Sequence, residues 1–367
     1  LFEDGFFLSK GIRLTEKILL YSHNISHPAV GGFLHTRQSQ SILDVLKIVL
    51  MKTLREILNI EIPIIVAPMF LVSNEDMVIA ACESGATAAI PALNYRNTTQ
   101  LREGIQKIRR GTNKPFGINL IVNKSNVLYR EQLKICCEEK VGFIITSLGS
   151  PEETIREAHQ VGTLVFCDVT DVSYAKKVES LGADALIAVN KNAGGHAGNL
   201  SPEELIPQLL ATCKLPVISA GGIGDAEGVK KMMALGAAGL SMGSIFIATH
   251  EAPVSEEYKQ AIIDYGAKDI VMTTKLSGTP CTVIKTPYVE KIGTEQNWLE
   301  KLLNKNKKLK KWAKALTFVR GMKQLRNAAF SATYKTLWCA GPSIESVRSI
   351  RSIAAIIDEL KPGFSHE

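Results

Sequence analysis

Of the seven histidines in this 367-residue chain, one sits where an imidazole could do chemistry. His196 follows two glycines in NKNAGGHAGN, Asn190 to Asn199, directly after an apolar run. Two glycines carry no side chain to hold a flat ligand off the backbone. An imidazole with an ordinary pKa of about 6.5 can take or give a proton near neutrality. A loop histidine is more often a satisfied turn residue, and the glycine flank is what sets His196 apart.

Two glycine turns follow further along. SAGGIGDAEGV holds Gly221, Gly222 and Gly224 ahead of Asp225, and SMGSIFIAT holds Ser241, Gly243 and Ser244. Backbone N–H groups exposed in such turns at helix starts form an anion site, so a phosphate is expected there. One glycine pair could simply relieve crowding, but two turns after consecutive apolar runs favour a ligand. Asn119 lies inside PFGINLIVN, where a carboxamide meets either a buried polar group or the donor and acceptor edge of a heterocycle. Pro68 and Met69 close the first run and could put backbone beneath a ring. Asp168, Thr170 and Asp171 follow the fifth run, and Asp171 reads best as a helix cap. No His, Cys or carboxylate cluster has metal-site spacing, so no metal is expected.

The elements that would position these residues repeat from residue 60 onward. Eight short apolar runs stand at Ile62–Ala67, Thr87–Pro91, Phe116–Val122, Gly142–Ser147, Thr163–Cys167, Ala185–Val189, Val217–Ala220 and Gly239–Met242. Amphipathic stretches with Ser, Thr or Asp starts and Gly ends separate them, which is the strand-plus-helix alternation of a covered parallel sheet. Eight units predict an α/β fold, a (β/α)8 TIM barrel with a C-terminal helical extension. The first run ends in APMF rather than a GxGxxG turn, which argues against a doubly wound dinucleotide fold. Active sites of such barrels lie at the carboxyl ends of the strands, and there the candidate residues fall.

Composition is that of a globular protein, 46% hydrophobic and 22% charged. No uncharged apolar run approaches the ~18 residues that would span a bilayer, so no membrane partner is expected. The net charge of +7 arises from residues 301–326, which hold ten Lys and Arg and no acid. This segment lacks the aromatic interleaving of a single-strand binder, and no nucleic acid is expected. Trp298, Trp312 and Phe318 at helix-like spacing predict that it packs as a helical lid or hairpin. Seven scattered cysteines without CxxC spacing suggest reduced thiols and a cytoplasmic location. Residues 1–50 read as an upstream or appended segment, poorly ordered, with Met51 as the biological start. The expected divisions are thus 1–50, a barrel over 51–290, and a basic helical segment with a closing helix over 291–367.

Together PIIVAPM, PFGINL, NAGGHAGN, PVISAGGIGDAEGV and MGSIFIATHEAPVSEEYKQAI resemble the nitronate monooxygenase family, formerly 2-nitropropane dioxygenase, across about residues 60–290. LWCAGPSIESVRSIRSIAAII is similar to the family's closing segment. The resemblance implies an FMN-dependent barrel enzyme that oxidises alkyl nitronates with molecular oxygen, its partners a small-molecule substrate and oxygen. It makes His196 the active-site histidine, Gly194 and Asn119 flavin contacts, and Met69 a backbone contact under the ring. Gly221, Gly222, Ser241, Gly243 and Ser244 become the phosphate and ribityl contacts. Val189, Asn190 and Asn192 depart from the Gln, Gly and Glu common in the family, which touches substrate preference more than flavin binding. Two rivals stand beside this reading. One is a flavin-dependent enoyl-acyl-carrier-protein reductase using NAD(P)H; the other is a barrel that binds a phosphorylated ligand without redox chemistry. Association into a homo-oligomer stays open at the level of sequence.

Overall fold

The computed structural model of the chain describes residues 51–123, 126–274, 280–295 and 337–365. The upstream segment 1–50, the basic segment 301–326 and Trp298, Trp312 and Phe318 lie outside the described residues. The strands in chain order are β1 (Ile64–Val66), β2 (Thr87–Pro91), β3 (Gly117–Ile121), β4 (Phe143–Ser147), β5 (Leu164–Val169), β6 (Ala185–Val189), β7 (Gly195–His196), β8 (Val217–Ala220), β9 (Gly239–Met242), β10 (Ile270–Thr273) and β11 (Cys281–Ile284). Eight of them close a parallel barrel in the order β1-β2-β3-β4-β5-β6-β8-β9, and β9 pairs back onto β1 with Ile65 opposite Ser241. The expected (β/α)8 barrel is the fold observed.

Alternation along each strand builds two cores. Residues facing the axis, among them Ile65, Ala89, Phe143, Ile145, Phe166, Ile187 and Ile218, form one buried cluster, with Phe143 and Phe166 stacked at 5.0 Å. Their neighbours Ile64, Ile118, Ile144, Val165, Leu186 and Leu240 face outward into a second. The period of two is what a strand buried on both faces requires. The helices are α1 (Leu54–Leu58), α2 (Glu75–Glu83), α3 (Thr98–Gly111), α4 (Tyr129–Glu138), α5 (Glu152–His159), α6 (Val172–Ser180), α7 (Pro202–Thr212), α8 (Ala226–Ala234), α9 (Glu256–Asp264), α10 (Pro287–Ile292) and α11 (Ile353–Leu360). They complete the outer cluster, except that α1 sends Leu54 and Leu58 into the axis and α10 packs Val289 with Cys281, Val283 and Leu337 in a third, smaller cluster. The α1 plug closes the amino end of the barrel: Leu54 N–H donates to Ala238 O at 2.7 Å.

Caps start the helices where the sequence calls for them. Asn74, Asn97, Asp171, Asp225 and Ser352 each accept a backbone N–H of the first helical turn. The cap on α6 accounts for Asp171 as read from sequence. The closing helix α11 buries Ile353, Ile356, Ile357 and Leu360 in the outer core.

Two local readings are corrected. β5 runs on to Val169, so Asp168 lies within the strand and not in the loop after it. The strand continues because β6 supplies pairing partners, Ile187 for Asp168 and Ala188 for Val169. The His196 loop is also partly strand: β7 adds antiparallel to β11, with His196 opposite Cys281, as the edge of the three-stranded sheet β10-β11-β7.

Candidate active site

Toward the carboxyl ends of the strands the axial residues change from apolar to polar. Asn119, Ser147, Asp168 and Ser241, each on a barrel strand, line a cavity of about 600 Å³, within the ~300–1,000 Å³ of small-molecule sites. The strand-end loops complete its wall. Most residues singled out from sequence are brought to it, among them His196, Met69, Asn119, Gly194, Gly221, Gly222, Ser241, Gly243 and Ser244, while Gly224, Asp225, Asp171 and Asn190 are not in its wall. The remaining wall is largely apolar, with Phe70, Val72, Leu93, Ile121, Leu148 and Leu337.

Close backbone packing explains the glycines. Gly221 and Gly222 take φ of +115° and +80°, which side-chain-bearing residues rarely adopt. A Cβ on Gly221 would also fall 2.5 Å from Ala193 N, because the turn after β8 lies against the loop that carries His196. Asn190, fully buried, joins the two: its Nδ2 donates to Gly221 O at 3.0 Å and its Oδ1 accepts from Asn192 N at 2.8 Å. The position that departs from the family pattern therefore holds the loop from beneath.

From the other side the loop is held by segments distant in sequence. Thr282 on β11 donates its hydroxyl to Ala193 O at 2.6 Å. Gly341 donates its N–H to the Ser244 hydroxyl at 2.8 Å, and Cβ atoms on either Gly194 or Gly341 would clash with the opposite backbone. Tyr258 stacks on Trp338 at 5.6 Å and donates to Cys339 O at 2.7 Å, fixing the same C-terminal stretch. Thr282, Tyr258 and Gly341 were not among the sequence candidates. Only the AG pair within the similarity to the family's closing segment pointed at one of them.

Two acid–base groups face the cavity. His196 is open to it, while the protein around it lowers the imidazole pKa below the ordinary value by desolvation. Asp168 is half-buried, and burial pushes its carboxyl up to about 6 against the opposing hydrogen bond from Ser147. No Lys or Arg is found among the described lining residues.

The geometry agrees with comparison to known proteins. A sequence model described as nitronate monooxygenase matches residues 51–134 and 126–363. A protein of Rhodococcus jostii (strain RHA1) named (3aS,4S,5R,7aS)-5-hydroxy-7a-methyl-1-oxo-octahydro-1H-indene-4-carboxyl-CoA dehydrogenase is 30% identical over 246 residues, 66% of this chain and 69% of that protein. A nitronate monooxygenase of Paraburkholderia phytofirmans is 28% identical over 273 residues, 62% of this chain and 74% of that protein. Among solved structures, FabK from Thermotoga maritima superposes with a TM-score of 0.74 at 30% identity, covering 86% of this chain and 96% of that one. With this barrel, this strand-end cavity and a family match over most of its length, the chain belongs to the nitronate monooxygenase family and is an oxidoreductase.

Proposed function

We propose that the chain binds FMN in the strand-end cavity and oxidises alkyl nitronates with molecular oxygen. The observation that carries this reading is the convergence of His196, Asn119 and the two glycine turns on one cavity, in a chain of this family. The residues present fit the cofactor. An apolar wall suits a flat ring system, Asn119 offers a polar edge, and the successive positive-φ glycines Gly221 and Gly222 beside Gly243 and Ser244 suit a phosphate. Met69, Gly194 and Ser241 complete the contacts assigned to the cofactor. When bound, FMN supplies the electron-accepting chemistry that no side chain here could perform.

In this scheme His196 is the proton-handling group. Its neutral form prevails at pH 7, since desolvation holds its pKa below the ordinary value. A neutral imidazole can take the α-proton of a nitroalkane, or donate its N–H to a nitronate oxygen. Gly195, where a Cβ would meet nothing within 4 Å, leaves the substrate room to reach it, and the apolar wall accepts the alkyl chain.

One observation favours a second reading. None of the described lining residues is a Lys or Arg, so none of them offers a nitronate anion a fixed cation. A neutral reacting group needs no such cation, as in reduction of an enoyl thioester by NAD(P)H, and the Rhodococcus relative is named as a carboxyl-CoA dehydrogenase. The deciding experiment is oxygen uptake by the FMN-loaded protein on a preformed alkyl nitronate without NAD(P)H. Rapid uptake is expected. Its absence from a yellow protein that consumes NAD(P)H with an enoyl thioester would replace the first reading by the second.

A further inference from the structure

Asn119, Ser147 and Asp168 stand on three adjacent strands, β3, β4 and β5, and form one directed hydrogen-bond chain across the cavity floor. Asn119 Nδ2 donates to Ser147 Oγ at 2.8 Å and to Ile145 O at 3.2 Å, and Ser147 Oγ donates to Asp168 Oδ2 at 2.5 Å. In its ionised form the Asp168 carboxylate only accepts, so above about pH 6 it fixes the direction of the whole chain. The single hydroxyl hydrogen of Ser147 goes to Asp168, which leaves its oxygen to accept from Asn119. Both amide hydrogens of Asn119 are then committed, and its carbonyl oxygen is what remains for the cavity that Asn119 lines.

The opposite orientation of the amide would aim Oδ1 at two oxygens, Ile145 O and a Ser147 oxygen whose hydrogen is already given away. Removing Asp168 changes this. The Ser147 hydroxyl would become free to donate to Asn119 Oδ1, and the flipped amide would gain a partner. The nearby polar groups do not substitute for the carboxylate. The Tyr174 hydroxyl donates to Gly149 O, and Cys167 receives the Thr146 hydroxyl at 3.2 Å on the other face of the sheet.

We propose that Asp168, acting through Ser147, is a positioning residue that holds the Asn119 carbonyl toward the cavity, where it accepts the imide N–H of the flavin ring. This rests on the FMN reading and deepens it. The imide nitrogen carries the only ring N–H of an oxidised isoalloxazine, so an acceptor fixed in the floor discriminates by that group alone. Ser147 and Asp168 then act without touching the ligand, through the orientation of one amide.

The test is titration of the apoprotein with FMN and with FMN methylated at the imide nitrogen, followed by flavin fluorescence. The wild type is expected to prefer FMN by about tenfold or more, the scale of one hydrogen bond gained against a polar group left unpaired. Asp168→Ala and Ser147→Ala are expected to bring that preference close to unity, while Ser147→Thr, which keeps the hydroxyl, restores it. Circular dichroism of each variant separates a lost fold from a lost orientation. A wild-type preference that survives in Asp168→Ala would mean that the methyl is excluded by bulk alone, and would overturn the proposal. A folded wild type that binds neither flavin would overturn the FMN reading itself.

Discussion

Thr282 Oγ1 lies 2.6 Å from the carbonyl oxygen of Ala193 and donates to it, and in this way β11 grips the loop that carries His196. The same hydroxyl lies 3.3 Å from Gly195 O, one residue before the histidine. Backbone pairing of β7 with β11 would hold the loop in one direction only; the threonine adds a second, side-chain attachment across the sheet edge. The pairing puts Cys281 opposite His196, so the reach of the imidazole into the cavity depends on where β11 sits.

Replacing Thr282 by Val keeps the shape and removes the donor. The carbonyl of Ala193, itself a buried residue, then loses this partner, at a cost of about 1–3 kcal/mol to the loop conformation. Turnover is expected to fall about tenfold or more as His196 drifts from its working position, with a smaller loss of FMN affinity through Gly194 in the same loop. Steady-state kinetics alongside a flavin titration would check this; equal losses in both would place Thr282 among the cofactor contacts instead.

Gly341 makes a different kind of contact, one of pure proximity. A Cβ there would sit 2.6 Å from Asn192 O and 2.9 Å from Gly194 N, both of them backbone atoms that cannot swing aside. Gly341→Ala is expected to destabilise the protein by about 1–3 kcal/mol, the range for forced overpacking, and to break the Gly341-to-Ser244 hydrogen bond. Denaturant unfolding of the two proteins under one condition measures the loss. An alanine tolerated without change would mean that the C-terminal stretch is not seated on the histidine loop.

The barrel was legible because its signal is local and repeated. Runs such as Ala185–Val189 and Phe143–Ser147 pack both faces with apolar side chains, and each is followed by a capped helix, so the period survives without any tertiary information. His196 and Gly221 were legible for the same reason, since each lies in the loop that follows a run. What could not be read is what lies far away in sequence. Nothing near residue 282 marks it as a partner of residues 193 and 195, and no periodic trace marks 341 as packing on residue 194, because backbone approach and a single threonine hydroxyl leave none. Asp168 was found but misplaced. A carboxylate beside Cys167 reads as the end of a strand, and only pairing with Ile187 shows that the strand carries it inward.

Asp168 also couples the site to pH. Its folded-state pKa of about 6 lies above the ordinary 3.8 because burial disfavours the charge. Between those values the folded chain keeps a proton that the unfolded chain releases. The contribution of Asp168 to stability therefore falls as pH rises through this window, and above about 6 the full penalty of a buried carboxylate is present. Asp168→Asn, neutral at every pH, is expected to be more stable than wild type at pH 7.5. The gap should narrow as pH falls through 6 and close below 3.8. Urea unfolding of the two apoproteins across that range is the check. A gap that widens toward acid would mean that the native protein favours the ionised form.

His196 shifts the opposite way, with opposite consequences for catalysis. Desolvation lowers its pKa, so the neutral imidazole is the resident form at pH 7 and protonation sets in only below the ordinary 6.5. With a neutral nitroalkane as substrate, kcat/KM should hold through neutrality and fall on an acid limb whose midpoint lies below 6.5. With a preformed nitronate the α-proton is already gone, and that limb should flatten or reverse, because a protonated imidazole would attract the anion. His196→Asn should retain FMN, since the proposed cofactor contacts lie on other residues, and lose roughly 10²–10⁴-fold in turnover of the neutral nitroalkane, the usual contribution of a positioned general base. Turnover of the nitronate should fall less. Equal losses on both substrates would assign His196 to binding or orientation and remove the proton-transfer role. The two pH profiles, taken with wild type and variant side by side, separate those roles without reference to the fold.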